Sequence, residues 1–311
     1  MEHYVTLFDS LFLPQGLTLN ESLEKHAGVY TLWVICIDDK VFEILDKLDL
    51  PNVKLIKLSE VETPELLVAK QNRSHKEYCW TLTPFSIRFV FEASKDIKRA
   101  TYIDADLWFR KTPKPIFKEF EQSGKQVLIT EHSYAPELDQ SAQTGRFCVQ
   151  FMIFTRSGGE IVRKWWEGKC IEWCYARFED GKFGDQKYLD DWDERFEDKV
   201  HILSNKEWSL APWNASRFPF SNSIFYHFHG FRLLKKDKIM MDGYSLPKPL
   251  RVNVYQPYIE SFRQQIIKLN EIGFIPQPQG RNRGLLRYIK RFFVGIQRQI
   301  WKFNIIFFGT R

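Results

Sequence analysis

The chain predicts an α/β protein with a Rossmann-like mixed, mostly parallel sheet flanked by helices. Three observations carry that expectation. Short apolar runs suited to buried strands alternate with helical patterns over the first hundred residues. No Pro/Gly/Ser-rich linker divides the 311 residues, a length that one large α/β domain accommodates. A helical segment with proline near its first turn leads directly into a further apolar run at residues 100–103.

In order, residues 4–8, 30–37 and 53–58 read as buried strands, with helical patterns at 19–25 and 41–48 between them. Thr83-Pro84 is expected to open a helix running to residue 94, because proline at a helix start forfeits no hydrogen bond. After the 100–103 strand come a helix at 115–122, strands at 126–130 and 147–155, and a Trp-rich helix at 160–178. Gly184-Asp185-Gln186 opens a short helix whose apolar side is Tyr188, Leu189 and Trp192, and residues 200–203 read as a strand. The aromatic stretch 208–213 reads as an irregular loop, and Tyr226-His227-Phe228-His229-Gly230 ends this core. The expected division is a core domain at 1–241, an extended connector at 242–280 carrying Pro247, Pro249, Pro257, Pro276 and Pro278, and a basic segment at 281–311.

Charge is distributed unevenly. The net charge is +6, yet eight basic residues and no acidic one follow Glu271, so the remainder of the chain is slightly acidic. At 100° per residue Arg283, Arg287, Lys290, Arg291, Arg298 and Lys302 share one side of a helix, opposite Leu285, Ile289, Phe292, Phe293, Ile296, Ile300, Phe303 and Phe307. Such a helix suits an anionic membrane surface, at about 1 kcal/mol per basic residue. An amphipathic helix packed on protein is the alternative. Nucleic acid is not an expected partner, because the rest of the chain is acidic and shows no recognition module. The start of the chain lacks a basic, long apolar leader, and no window approaches the roughly 20 apolar residues of a spanning helix. Cys36, Cys79, Cys148, Cys170 and Cys174 are an odd set with no CxxC pair, which suits reduced thiols. The expected address is therefore cytoplasmic, peripheral on the inner membrane face.

Two carboxylates close the apolar run Tyr102-Ile103-Asp104-Ala105-Asp106-Leu107. At about 5 Å and an effective dielectric of about 20, their repulsion would cost roughly 3 kcal/mol before desolvation. A hard divalent cation, Mn²⁺ or Mg²⁺, removes that cost and leaves coordination positions for substrate phosphates. Asp104 and Asp106 also stand at the carboxyl end of a strand, where open α/β sheets bind ligands.

The order of motifs resembles that of GT-A fold glycosyltransferases, and is similar to family 8, the glycogenin-like retaining enzymes. The block from Tyr102 to Leu107, with Arg110 and Lys114-Pro115-Ile116-Phe117 after it, resembles the family's metal-binding segment and the helix start that follows. Asp185-Gln186 matches its Asp-Gln pair, Trp213-Asn214 its Trp-Asn pair, and His227-Phe228-His229-Gly230 its His-x-x-Gly. The resemblance covers about residues 1–235. It implies a nucleoside-diphosphate sugar donor, with UDP as the nucleotide, a glycan or lipid-linked saccharide acceptor, a divalent cation, and retention of configuration.

The same resemblance assigns candidate roles. The metal ligands are Asp104, Asp106 and His227, with His229 as the alternative, because period-two alternation sends both imidazoles the same way. Donor contacts fall to Thr6, Phe8 and Asp9 at the end of the first strand, to Arg88 on the helix before the metal segment, and to Ala105. The family's Asn-Ala-Gly corresponds here to Cys148-Val149-Gln150, which displaces a sugar-contacting amide and leaves Gln150 as the donor-side candidate. The family's Lys-Pro-Trp is absent, and Arg232 and Lys235 stand nearby for phosphate. Asp185 and Gln186 are the catalytic candidates, one holding a donor hydroxyl and the other facing the anomeric carbon. A helix cap is the competing use of Asp185. Trp208, Trp213 and Asn214 are acceptor candidates.

Two other chemistries use related patterns. A haloacid-dehalogenase-type phosphatase also carries strand-Asp-x-Asp and would use Gly184-Asp185 to Asp190, but Leu107 and Trp108 replace the small residues expected after its aspartates. A sugar nucleotidyltransferase would need a Gly-rich phosphate loop near the start, which is missing.

Overall fold

The computed structural model describes residues 1–279 and 304–307. β1 (Glu2–Phe8), β2 (Tyr30–Cys36) and β3 (Val53–Lys57) pair in parallel, joined by helices Leu13–His26 and Asp39–Leu48. Asp38 starts the second helix by accepting from Val41 N at 2.7 Å. β4 (Arg99–Ile103) adds to the other side of β1 in parallel, and the chain turns through Asp104-Ala105-Asp106 into β5 (Leu107–Phe109). β6 (Val127–Glu131), β7 (Phe147–Thr155) and β8 (Val200–Ile202) complete a seven-stranded sheet of order β3-β2-β1-β4-β7-β6-β8, in which β7 alone runs against its neighbours.

The sheet explains the unbroken apolar runs. Both faces are covered, by Phe85, Phe89, Trp166 and Trp192 on one side and by Leu13, Leu17, Phe109 and Phe117 on the other. β7 is buried along all of Phe147 to Phe154, and its one long polar side chain, Gln150, is 1% exposed. A buried amide in such a strand needs partners, and Gln150 finds them in the site described below.

Several boundaries differ from the sequence expectation. The helix expected to begin at Thr83-Pro84 begins at His75 and runs to Ala93, with Pro84 inside it. Ser74 and Glu77 form a capping box there, and those two satisfied donors set the start. The Trp-rich helix spans Gly159–Glu172 and stops short of residue 178. Arg73 donates to Cys170 O at 2.9 Å and Ile171 O at 2.8 Å, satisfying its last carbonyls, and Trp173 turns extended. Residues 242–280 are not simply extended: they contain helix Gln256–Glu271. Pro257 sits in its first turn, where it is tolerated, and Tyr258, Ile259, Phe262, Ile266 and Leu269 form a buried stripe. Ser261 and Gln265 on this helix both donate to Glu21 Oε2, tying it to helix Leu13–His26.

Two small sheets flank the carboxyl edge. β9 (Ser209–Leu210), within the expected loop, and β10 (Phe225–His227) pair with β5 in the order β5-β10-β9. β11 (Arg232–Lys235), β12 (Lys238–Met240) and β13 (Ile305–Phe307) form the other. The basic amphipathic helix expected at 281–311 lies mostly outside the described residues. Where the chain is described again, at 305–307, it is a strand. Among the described residues no helix is long and apolar enough to cross a membrane.

Candidate functional site

Asp104 caps the end of β4. Its N–H bonds to Gln150 O at 3.0 Å and its carbonyl accepts from Leu107 N at 3.1 Å, closing the turn that carries Asp106. β10 runs antiparallel to β5 with His227 opposite Leu107, and Phe228 N donates to Asp106 O at 2.9 Å. Strand register thus delivers His227 to the carboxylates: its Nε2 lies 3.0 Å from Asp106 Oδ1 and 3.6 Å from Asp104 Oδ2. Ligand atoms of the three residues all fall within 4.8 Å of one another. His229 is not among them. The chain leaves the strand after His227 and turns, Phe231 N bonding Phe228 O, so period-two alternation ends and His229 stands beside His227 and Trp213 instead.

Electrostatics shows why the cluster invites a cation. Burial pushes the Asp104 carboxyl up to about 6, against the pull of His227. Burial also opposes ionisation of Asp106, but His227 outweighs it and holds that carboxyl well below its usual range. Desolvation disfavours a charged His227, yet Asp106 and Asp104 raise its pKa well above the ordinary value. Without a metal, a proton on Nε2 is the counter-charge. Two carboxylate oxygens and one imidazole nitrogen are a hard donor set that fits Mn²⁺ or Mg²⁺. The nitrogen is also correctly prepared. His227 Nδ1 bonds to Gln150 Oε1 at 2.8 Å and Gln150 Nε2 donates to Ser209 Oγ at 2.7 Å, which leaves Nε2 as the coordinating atom. Tyr102 OH donates to Asp104 Oδ1 at 2.9 Å.

The cluster stands in a cavity of about 910 Å³ at the carboxyl edge of the sheet. Phe8 and Asp9 line it at the end of β1, and helix His75–Ala93 contributes His75, Lys76, Cys79, Trp80 and Thr83. Asp9 is fully engaged: Oδ1 accepts from Leu11 N and Phe12 N, and Oδ2 pairs with His75 Nε2 at 2.8 Å. That pairing lifts the His75 pKa to about 10. Asp185 and Gln186 line the cavity too. Gly184, at φ +54°, makes the turn before them, with Trp80 too close for a side chain at that position to fit without displacement. Asp185 is 2% exposed, its carboxyl is pushed up to about 7 mainly by burial, and its Oδ2 has no hydrogen-bond partner. Trp166 Nε1 fixes its backbone by donating to Asp185 O at 2.8 Å. Gln186 Nε2 donates to Thr144 O at 2.6 Å. Ala105, Trp213, His229 and Arg232 complete the expected residues that reach the cavity.

Six expected residues do not reach it. Arg88 points off the other side of its helix and pairs with Glu92 at 2.7 Å. Thr6 is wholly buried within β1, on the same face as Phe8 but two residues short of the strand end. Gln150 sits behind His227 and orients it. Lys235 is exposed at the end of β11. Trp208 packs half-buried against the core, and Asn214 is buried with its amide on His132 O and Ser209 O. On the far side, His132, Tyr134, Gln140, Thr144, Cys148 and Tyr244 line the cavity and were not anticipated. The i, i+4 spacing of His75 and Cys79 was a signal that their helix shows one polar face; nothing local marked Tyr244.

The sheet order, the strand-end cluster and the flanking small sheets define a GT-A fold. No family profile matches the chain. It is 29% identical over 298 residues to the uncharacterized protein YfnD of Bacillus subtilis (strain 168), covering 88% of this chain and 95% of that one. It is 30% identical over 256 residues to the uncharacterized protein YfnF of the same organism, covering 76% of this chain and 84% of that one. The chain belongs to the family of YfnF. Among solved structures, galactosyltransferase LgtC in complex with donor and acceptor sugar analogs matches at TM-score 0.53 and 12% identity, over 84% of this chain and 95% of its own. The apo glycosyltransferase GlyE of Streptococcus pneumoniae TIGR4 matches at TM-score 0.51 and 13% identity, over 90% of this chain and 65% of its own. These two likenesses establish the fold.

Proposed function

We propose that the chain is a metal-dependent glycosyltransferase that moves a sugar from a nucleoside diphosphate, UDP, to a glycan or lipid-linked saccharide. The observation that carries this reading is the Asp104/Asp106/His227 cluster at the centre of a cavity whose 910 Å³ is ample for a nucleotide sugar. Both fold neighbours are glycosyltransferases, which agrees with it.

In this reading Asp104, Asp106 and His227 hold the cation. When bound, it supplies a positive charge for the departing diphosphate. The chain's own groups do the rest. Phe8 and the Asp9–His75 pair border the nucleoside side, and Arg232, which lowers the Asp106 pKa through its charge, stands ready for a phosphate oxygen. The unpartnered Asp185 Oδ2 accepts a hydroxyl of the donor sugar, relieving a buried, unsatisfied oxygen. Gln186, with its amide nitrogen on Thr144, presents its oxygen towards the anomeric centre. The anomeric C–O bond to diphosphate breaks, the acceptor oxygen forms the new bond on the same face, and its proton passes to the leaving phosphate. That is transfer with retention.

A phosphatase is not favoured. Asp190, which its motif would require beside Asp104, instead accepts from Arg146 N at 2.7 Å and pairs with Lys187 at 2.7 Å. The lipid-linked option and attachment to an anionic membrane rest on the basic segment at 281–311 read from sequence; cosedimentation with anionic vesicles, with and without that segment, tests it. For the function itself, the measurement is UDP release from a panel of UDP-sugars with and without Mn²⁺. Manganese-dependent release is expected; release independent of metal, or none from any nucleotide sugar, would refute the reading.

A further inference from the structure

The cavity has two chemically distinct sides. β1, β4 and β6 run in the same direction and end at one edge, with β4 carrying Asp104 between the other two. At about 4.8 Å per strand, the end of β6 lies roughly 14 Å from the Asp9 end of β1. On this β6 side the lining is His132, Tyr134, Gln140, Thr144, Cys148, Trp213 and Tyr244, with no carboxylate, lysine or arginine among them. Tyr134 stacks on His132 with ring centroids 4.7 Å apart, lies 6.2 Å from Trp213, and its hydroxyl bonds Thr144 Oγ1 at 2.8 Å. Tyr244 OH accepts from Gln140 Nε2 at 3.2 Å.

Tyr244 is held by the far end of the chain. Asn304, 2% exposed, donates through Nδ2 to Asp242 O at 3.0 Å and to Tyr244 O at 2.6 Å, and its own carbonyl accepts from Met241 N at 2.8 Å. Asp242 Oδ1 in turn accepts from Tyr244 N at 3.0 Å, and Oδ2 accepts from Tyr255 OH at 3.1 Å. The 242–244 turn is thus clamped through its first and last carbonyls and the Tyr244 N–H. β13 follows Asn304 directly, pairs Ile305 with Met240, and places Ile305 in the cavity lining.

We propose that the Tyr134/Trp213/Tyr244 wall is the acceptor subsite, that it takes the apolar face of an uncharged hexopyranose, and that Asn304 is its positioning residue. The inference rests on the glycosyltransferase reading and names that site's acceptor chemistry. Flat aromatic faces match the C–H face of a pyranose, and the Gln140 amide and Thr144 hydroxyl orient its hydroxyls. No lysine or arginine stands in this wall itself, so a carboxylate or phosphate on the acceptor sugar would gain no ion pair from it, which disfavours charged sugars. The subsite adjoins the catalytic candidates, because Thr144 O is also the acceptor for Gln186 Nε2.

The test uses the full chain and two readouts. Saturation-transfer NMR with methyl glucopyranoside and methyl galactopyranoside, against methyl glucuronide, should show contact at the ring C–H protons of the uncharged glycosides and at least about tenfold weaker binding of the glucuronide. In transfer assays Asn304→Ala should raise the KM for the glycoside about tenfold while the nucleotide-sugar KM moves less than about twofold. Tyr244→Phe should keep the wall and Tyr244→Ala should lose it. Equal binding of the glucuronide, or an Asn304→Ala protein that is less heat-stable yet unchanged in glycoside KM, would overturn the proposal. Glycoside contact in a protein that binds no UDP-sugar would support the subsite and remove the donor reading instead.

Discussion

His227 Nδ1 and Gln150 Oε1 are 2.8 Å apart, a hydrogen bond between the last residue of one small-sheet strand and the middle of the longest strand in the main sheet. It locks the imidazole so that Nε2 faces Asp106 and Asp104. Gln150→Leu, close in volume but without the acceptor, should therefore leave the fold intact and weaken Mn²⁺ binding about 10- to 100-fold. Titration of Mn²⁺ followed by calorimetry measures this directly, and unchanged affinity would show that Gln150 is only core.

Asp104→Asn and Asp106→Asn should each reduce metal-dependent turnover by at least about 100-fold. Burial outweighs pairing at Asp104, so Asp104→Asn should leave the melting temperature nearly unchanged, whereas Asp106→Asn removes the main partner of the buried His227 and should lower it. Turnover with Mn²⁺ together with thermal melts separates loss of chemistry from loss of fold.

Trp166 is fully buried, stacks on Phe154 at 6.3 Å, and holds Asp185 O through Nε1. Trp166→Ala should destabilise by about 3–5 kcal/mol. Trp166→Phe keeps most of the packing and loses the hydrogen bond, an expected loss of about 1 kcal/mol. Because that bond fixes the Asp185 backbone, kcat should fall in the Phe variant while Mn²⁺ affinity stays the same.

The Asp9–His75 pair makes stability depend on pH in a definite direction. The folded pKa of His75, about 10, lies above the unfolded value of about 6.5. Its contribution is therefore complete below pH 6.5 and is lost as pH rises towards 10. The gap in melting temperature between the native chain and His75→Ala should be largest near pH 6 and should close by pH 10. A gap that widens with pH contradicts the pairing.

What could be read in the sequence was what local chemistry dictates. The strands of the main sheet are short apolar runs buried on both faces, and β7 matched its expected span from Phe147 to Thr155. Asp104 and Asp106 announced themselves as paired acids at a strand end. The choice between His227 and His229 could not be made locally, because it depends on β10 ending at His227, a matter of pairing with β5 across more than a hundred residues. Arg88 was misplaced for a related reason: the helix start set by the Ser74 capping box fixes which face meets the cavity, and that face carries His75, Lys76, Cys79, Trp80 and Thr83. Helix Gln256–Glu271 was hidden by the prolines around it, although its 3–4 spacing of apolar residues was present throughout. Tyr244 and Asn304, 60 residues apart, meet only through the β12–β13 pairing.

The most direct test of the whole account is the electron paramagnetic resonance spectrum of Mn²⁺ titrated into the protein with UDP present. One tightly bound Mn²⁺ per chain, with affinity raised by UDP and abolished in Asp104→Asn, is the predicted result. Equal Mn²⁺ binding by the native chain and Asp104→Asn would contradict it.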